Sequence, residues 1–101
     1  MSSEEEINEI CKQALERWGR DAQEFMMIEE CAELIKAICK TKRCHSLQEY
    51  IDAVANVVEE LGDVYLMHRQ MLLLFVKNQN KEKDYVMIVE NKLGKLKEKL
   101  K

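Results

Sequence analysis

Apolar residues recur every three or four positions along this chain, in four runs separated by short polar breaks. That period belongs to one face of a helix, not to a strand. Ser3-x-x-Glu6, a capping-box pattern, opens the first run of Ile7, Ile10, Ala14 and Leu15. The predicted helix runs from about Ser3 to Trp18, with Gly19 just past its end. Asp21-x-x-Glu24 opens the second run in the same way. Its main stripe is Ile28, Ala32, Ile35 and Cys39, flanked by Met27, Cys31, Leu34 and Ile38. Glu29, Glu30 and Glu33 fall on the far side of that stripe, together with Met26 and Ala37, two apolar residues that a plain solvated face does not need.

Lys40 to Ser46 breaks the pattern, and Ser46-x-x-Glu49 is a third capping box. The third helix carries Leu47, Ile51, Val54, Val58, Leu61, Tyr65 and Leu72 as its core stripe. Glu60 and Asp63 project from a different face, which continues through Met67 to Leu74. Met71 to Val76 is apolar all the way round, the mark of a segment covered on every side. A polar turn is expected from Lys77 to Lys83, with Asn78 or Asn80 as cap. The last helix carries Tyr85, Val89, Leu93, Leu96 and Leu100 at helix-packing spacing, and its outer face holds Lys92, Lys95, Lys97, Lys99 and Lys101.

Composition agrees with this reading. There is no proline and there are only three glycines in 101 residues, which indicates a single all-α domain over residues 1–101 with four principal helices. The short break after the second helix makes it and the third antiparallel neighbours, a central hairpin. One small chain provides too little cover for Met71–Val76 and the last-helix seam, so a homo-oligomeric helical bundle, dimer or tetramer, is expected. The net charge of −3 lacks the basic balance of a duplex-binding protein. No basic-then-apolar leader pattern is present, and the longest purely apolar run is far too short to span a bilayer. Neither a nucleic acid duplex nor a membrane is therefore expected as a partner. None of the four cysteines pairs as C-x-x-C, and Cys44-His45 lacks the partner motif of a zinc site. A reduced, cytoplasmic protein is the expectation.

The candidate chemistry lies in two acidic stretches, Glu29-Glu30-Cys31-Ala32-Glu33 and Glu59-Glu60-Leu61-Gly62-Asp63. Carboxylates three residues apart share a helical face, one turn above the other. If the two helices pack side by side, Glu30, Glu33, Glu60 and Asp63 converge on one point. At about 5 Å and an effective dielectric near 20, each pair of charges repels by roughly 3 kcal/mol. A divalent cation or strongly raised pKa values must compensate. An all-oxygen donor set favours Mg2+, with Mn2+ a possible substitute, over zinc.

Glu29-Glu30-x-x-Glu33 followed by Glu60-x-x-Asp63, in the setting Glu-Glu-Leu-Gly-Asp-Val, resembles the MazG-like nucleotide pyrophosphohydrolases. Trp18-Gly19, Gln23 and the stretch Glu90-Asn91-Lys92-Leu93-Gly94-Lys95-Leu96 are similar to that family too, so the resemblance covers essentially the whole chain. It implies an all-α oligomer that binds magnesium through Glu30, Glu33, Glu60 and Asp63 and cleaves nucleoside triphosphates to the monophosphate and pyrophosphate. Glu29 would be a water-orienting carboxylate. Lys36, Lys40 and Lys92 are candidate phosphate contacts, Trp18 a candidate stacking platform for a base, and Gln23 a candidate partner for a base edge. Each also has a plainer reading, as exposed lysine, core tryptophan or surface glutamine. Two other functions fit the same residues: a phosphoribosyl-ATP pyrophosphohydrolase, which has a similar acidic helix pair, and an oligomeric helical interaction module without turnover.

Overall fold

The computed structural model describes residues 2–101, and every regular element among them is helical. Helix α1 spans Glu4–Trp18, α2 Arg20–Thr41, α3 Leu47–Leu72 and α4 Glu82–Lys99. The last turn of α3 widens into a π-helical segment over Leu73–Lys77.

Local chemistry explains most of the boundaries. The Ser3 hydroxyl accepts a hydrogen bond from the Glu6 amide at 3.1 Å, satisfying one of the free N–H groups of α1. Gly19 joins α1 to α2 with no loop at all. Its φ of 88° is open to glycine and costly for other residues, and its amide donates to the Leu15 carbonyl at 3.0 Å. The capping box expected at Asp21-x-x-Glu24 does not form. The backbone turns at Gly19, so α2 is already helical at Arg20, and Glu24 instead accepts from the Arg20 guanidinium at 2.6 Å. At α3 the Ser46 hydroxyl accepts from the Glu49 amide at 3.1 Å, and the Glu49 carboxylate accepts from the His45 amide at 2.8 Å. Neither Asn78 nor Asn80 caps α4. Asn80 takes the left-handed conformation, φ 56°, and Lys81 stands at the helix start without a side-chain hydrogen bond. The expected turn from Lys77 to Lys83 is also shorter than its polarity suggests, because α4 begins at Glu82.

The most extensive packing is between α2 and α3, with α3 returning along α2 after the Lys42–Ser46 connection. Gln23 and Ala37 are buried on α2, and Ala53, Met67 and Gln70 on α3. Small residues at 37 and 53 let the two backbones approach closely. This seam is the acidic side of both helices, and here the sequence expectation is corrected. The broader apolar stripes assigned to the core face outward, with Ile28 and Ile35 each 63 % exposed, Val58 62 % and Leu61 51 %. Periodicity shows that a stripe is apolar but not which of two candidate faces meets the neighbouring helix.

A smaller cluster ties α1 to the end of α3, where Ile7 and Cys11 pack on Leu73 beside Leu15. Arg69 fastens the same junction, donating to the Glu4 carboxylate and, at 2.7 Å, to the Asn8 side chain. The Arg69 guanidinium holds the Glu4 carboxyl below the usual carboxylate range. Met71–Val76 is only partly covered: Leu73 and Leu74 are buried, while Phe75 is exposed with the Arg20 guanidinium 4.8 Å above its ring. Helix α4 rests on the π-helical segment and buries none of its residues.

Candidate metal centre

Glu30 comes from the middle of α2, and Glu60 and Asp63 from the facing part of α3. One carboxylate oxygen from each of the three lies within 4.8 Å of the others. The i, i+3 spacing stacks the two α3 carboxylates on one face, and the seam through Ala37 and Ala53 brings Glu30 to them. Glu30 and Glu60 are half-buried, and Asp63 stands at the solvent edge.

The electrostatics follow from this crowding. Burial, followed by the charges of Asp63 and Glu60, pushes the Glu30 carboxyl above its ordinary value, and Glu33 adds a weaker push. The Oε2 atom of Glu60 is buried without any hydrogen-bond donor. A buried carboxylate oxygen with no donor is costly, and a cation satisfies it together with the surrounding negative charge. The donor set is all carboxylate oxygen, which suits a hard divalent ion such as Mg2+ or Mn2+.

The remaining candidates are dispersed. Glu33, one turn beyond Glu30, is exposed and lies outside the tight group, so three carboxylates converge where four were expected. Its side chain leaves α2 on the solvent side of the seam. Glu29 is exposed next to Glu30. Gln23 is buried on the seam two turns before Glu30, so its plainer reading as a surface residue is wrong. Trp18 is 59 % exposed with the Arg17 guanidinium 5.6 Å from its ring centre, so it is not a core residue either. Lys36 and Lys40 are exposed on α2. Lys40 lines a hollow at the α2–α3 turn with Arg43, Asp52 and Asn56, roughly 15 Å along the helix from Glu30. Lys92 is exposed on α4.

One polar residue escaped the sequence reading. Gln70 is buried, and its Oε1 atom has no donor. It continues the face of Glu60, Asp63 and Met67 at helical spacing, a signal that was present in the chain. Comparison with family models, with curated proteins and with solved structures finds no match to this chain.

Proposed function

We propose that this protein is a Mg2+-dependent nucleoside triphosphate pyrophosphohydrolase of the MazG-like kind, releasing the nucleoside monophosphate and pyrophosphate. The observation that carries the reading is the meeting of Glu30, Glu60 and Asp63 across the α2–α3 seam, with a buried Glu60 oxygen left without a donor. It is supported by the resemblance of the two acidic motifs, Trp18-Gly19 and the stretch Glu90–Leu96 to that family, and by the all-helical fold in which α2 and α3 pack on each other.

Glu30, Glu60 and Asp63 would hold the ion, with Glu33 at the rim. When bound, Mg2+ supplies positive charge against the triphosphate oxygens, the principal requirement of phosphoryl transfer. Without it the acidic site repels the polyphosphate. Glu29, exposed and next to Glu30 in the chain, would orient a water and accept its proton as the water oxygen attacks the α-phosphorus. The bond to the oxygen bridging the α and β phosphates breaks, and pyrophosphate leaves with that oxygen. Lys36 and Lys40 draw the polyphosphate toward α2 by charge, while Gln23 and Trp18 are the candidates for holding the base. A homo-oligomer, dimer or tetramer, would cover the outward apolar stripes. A reducing cytoplasmic setting suits the four free thiols.

The exposure of α4 also favours a second reading, an oligomeric helical module that binds cations without turnover. Pyrophosphate release separates the two. A panel of ordinary, deoxy and modified nucleoside triphosphates, with phosphoribosyl-ATP beside them, is assayed with Mg2+ and with chelator. Release that requires Mg2+ and disappears in Asp63→Asn is expected. No release from any nucleotide would leave the module reading, and release from phosphoribosyl-ATP alone would assign the related enzyme.

A further inference from the structure

Buried polar groups on the α2–α3 seam do not end at the carboxylates. Counted away from the Lys42–Ser46 connection, the seam passes Ala37 and Ala53 and then Glu30, Glu60 and Asp63. Two glutamines come next, Gln23 at 7 % exposure and Gln70 at 6 %. Gln23 stands seven residues before Glu30, and Gln70 seven residues after Asp63. Seven residues make two turns along one helical face, so both glutamines lie about 10 Å beyond the carboxylates, toward the same end of the seam.

Glutamine is rarely buried, and a buried amide is normally hydrogen-bonded. The Gln70 amide is not. Its Nε2 donates only to the Met67 sulfur, a weak acceptor, at 3.8 Å, and its Oε1 receives nothing. Packing alone does not call for this residue, because methionine or leucine fills similar space and strands no oxygen. An acceptor kept in such a place at a cost to stability points to a donor that arrives from outside the chain.

Position says which part of a ligand brings that donor. An ion held by Glu30, Glu60 and Asp63 anchors the phosphates of a nucleotide. A nucleoside laid along the seam from that ion carries the edge of its base toward the glutamines. Met67 lies between Asp63 and Gln70 on this face and is buried. Its unbranched thioether re-packs readily around an inserted ring, and sulfur sits well against an aromatic edge.

We propose that Gln70 is a specificity residue for the nucleobase, its side-chain carbonyl accepting an N–H from the base edge of the bound nucleoside triphosphate. The inference rests on the pyrophosphohydrolase reading above and names how that site tells one base from another. A base lacking the N–H leaves the buried oxygen unpaired, which is why a site of this kind rejects it sharply. The donor is an exocyclic amino group of adenine or cytosine, or a ring N–H of uracil, thymine or guanine.

Matched nucleotides test it in the full chain with Mg2+, by the kcat/KM of pyrophosphate release. ATP is paired with purine riboside triphosphate, and CTP with the 2-pyrimidinone riboside triphosphate. UTP is paired with its N3-methyl derivative and GTP with its N1-methyl derivative. For the preferred base, wild type is expected to lose about 10- to 100-fold when the N–H is removed. Gln70→Met should bring the parent nucleotide down to the level of its analogue, so that the pair is no longer distinguished. Without nucleotide, its melting temperature should equal or exceed that of wild type. Gln70→Leu serves if the methionine variant does not fold. No Mg2+-dependent release from any nucleotide overturns the enzyme reading and this inference together. Release that is indifferent to the N–H in every pair overturns the inference alone. So does a variant that still distinguishes the pair as wild type does. Variants that lose helicity, or that fall equally on parent and analogue, make Gln70 a packing residue and overturn it as well.

Discussion

Glu30 is held where burial and two neighbouring carboxylates push its proton affinity in the same direction. A carboxyl whose pKa is raised in the folded chain favours folding in its protonated form. That contribution is complete below the unfolded value, about 4.3, and is lost as pH rises through the folded value. The metal-free protein should therefore lose stability across that window, and Glu30→Gln should flatten the dependence. Melting temperature against pH, for wild type and variant with and without Mg2+, checks both the sign and its reversal by the ion. Asp63→Asn and Glu60→Gln keep size but remove an anionic oxygen donor. Each is expected to abolish most pyrophosphate release and most Mg2+-induced stabilisation while the helical signal is unchanged. Glu33→Gln should cost less than either, because Glu33 stands outside the convergent group. Equal losses at positions 33 and 63 would show that the bound state draws Glu33 in.

Among the elements, the α2–α3 pair fixes the site, and small residues set its closeness. Ala37 is 2 % exposed and Ala53 3 %. Ala37→Leu or Ala53→Leu should destabilise by about 1–3 kcal/mol through overpacking and, by spreading the helices, weaken Mg2+ binding. Thermal melts beside a metal titration report the two effects together. Ser46 matters for the same pair, since it caps α3 where the chain turns back. Ser46→Ala is expected to cost about 1 kcal/mol, visible in a denaturation midpoint, without changing metal affinity. At the α1–α2 junction, no side-chain cap replaces the positive φ of Gly19.

For the whole molecule, the outward stripes change what a core mutation means. Leu61 belongs to the stripe that periodicity assigns to the core, yet half of its surface is open in the single chain. Leu61→Ala should therefore lower stability little in the dissociated protein. Its cost should appear in assembly, as a melting temperature that falls more steeply on dilution than wild type. A full large-to-small penalty of about 2–5 kcal/mol, independent of concentration, would instead mean that Leu61 is buried within one chain. Arg69 links the scales. It gathers Glu4 and Asn8 of α1 at the far end of α3, so protonation of Glu4 in acid should loosen α1 before the α2–α3 seam. Amide exchange measured at falling pH would detect that order.

The sequence by itself determined the helices, their number, two of their four expected N-terminal caps, and the pairing of acidic motifs three residues apart. These are local properties, set by side-chain period, by hydroxyls beside free N–H groups, and by the absence of proline. It also held the signal for the seam: Ala37 among the acids of α2, and Met67 on the face of Glu60 and Asp63. Gly19 replaced the predicted Asp21 cap because a positive φ in the backbone outweighed a side-chain pattern. Only the tertiary structure decided which side of each helix meets the other, because burial depends on what lies opposite and both sides carry apolar residues. That choice brought Glu30, Glu60 and Asp63 together, left Glu33 at the rim, buried Gln23 and Gln70, and turned Ile28, Ile35 and Leu61 outward.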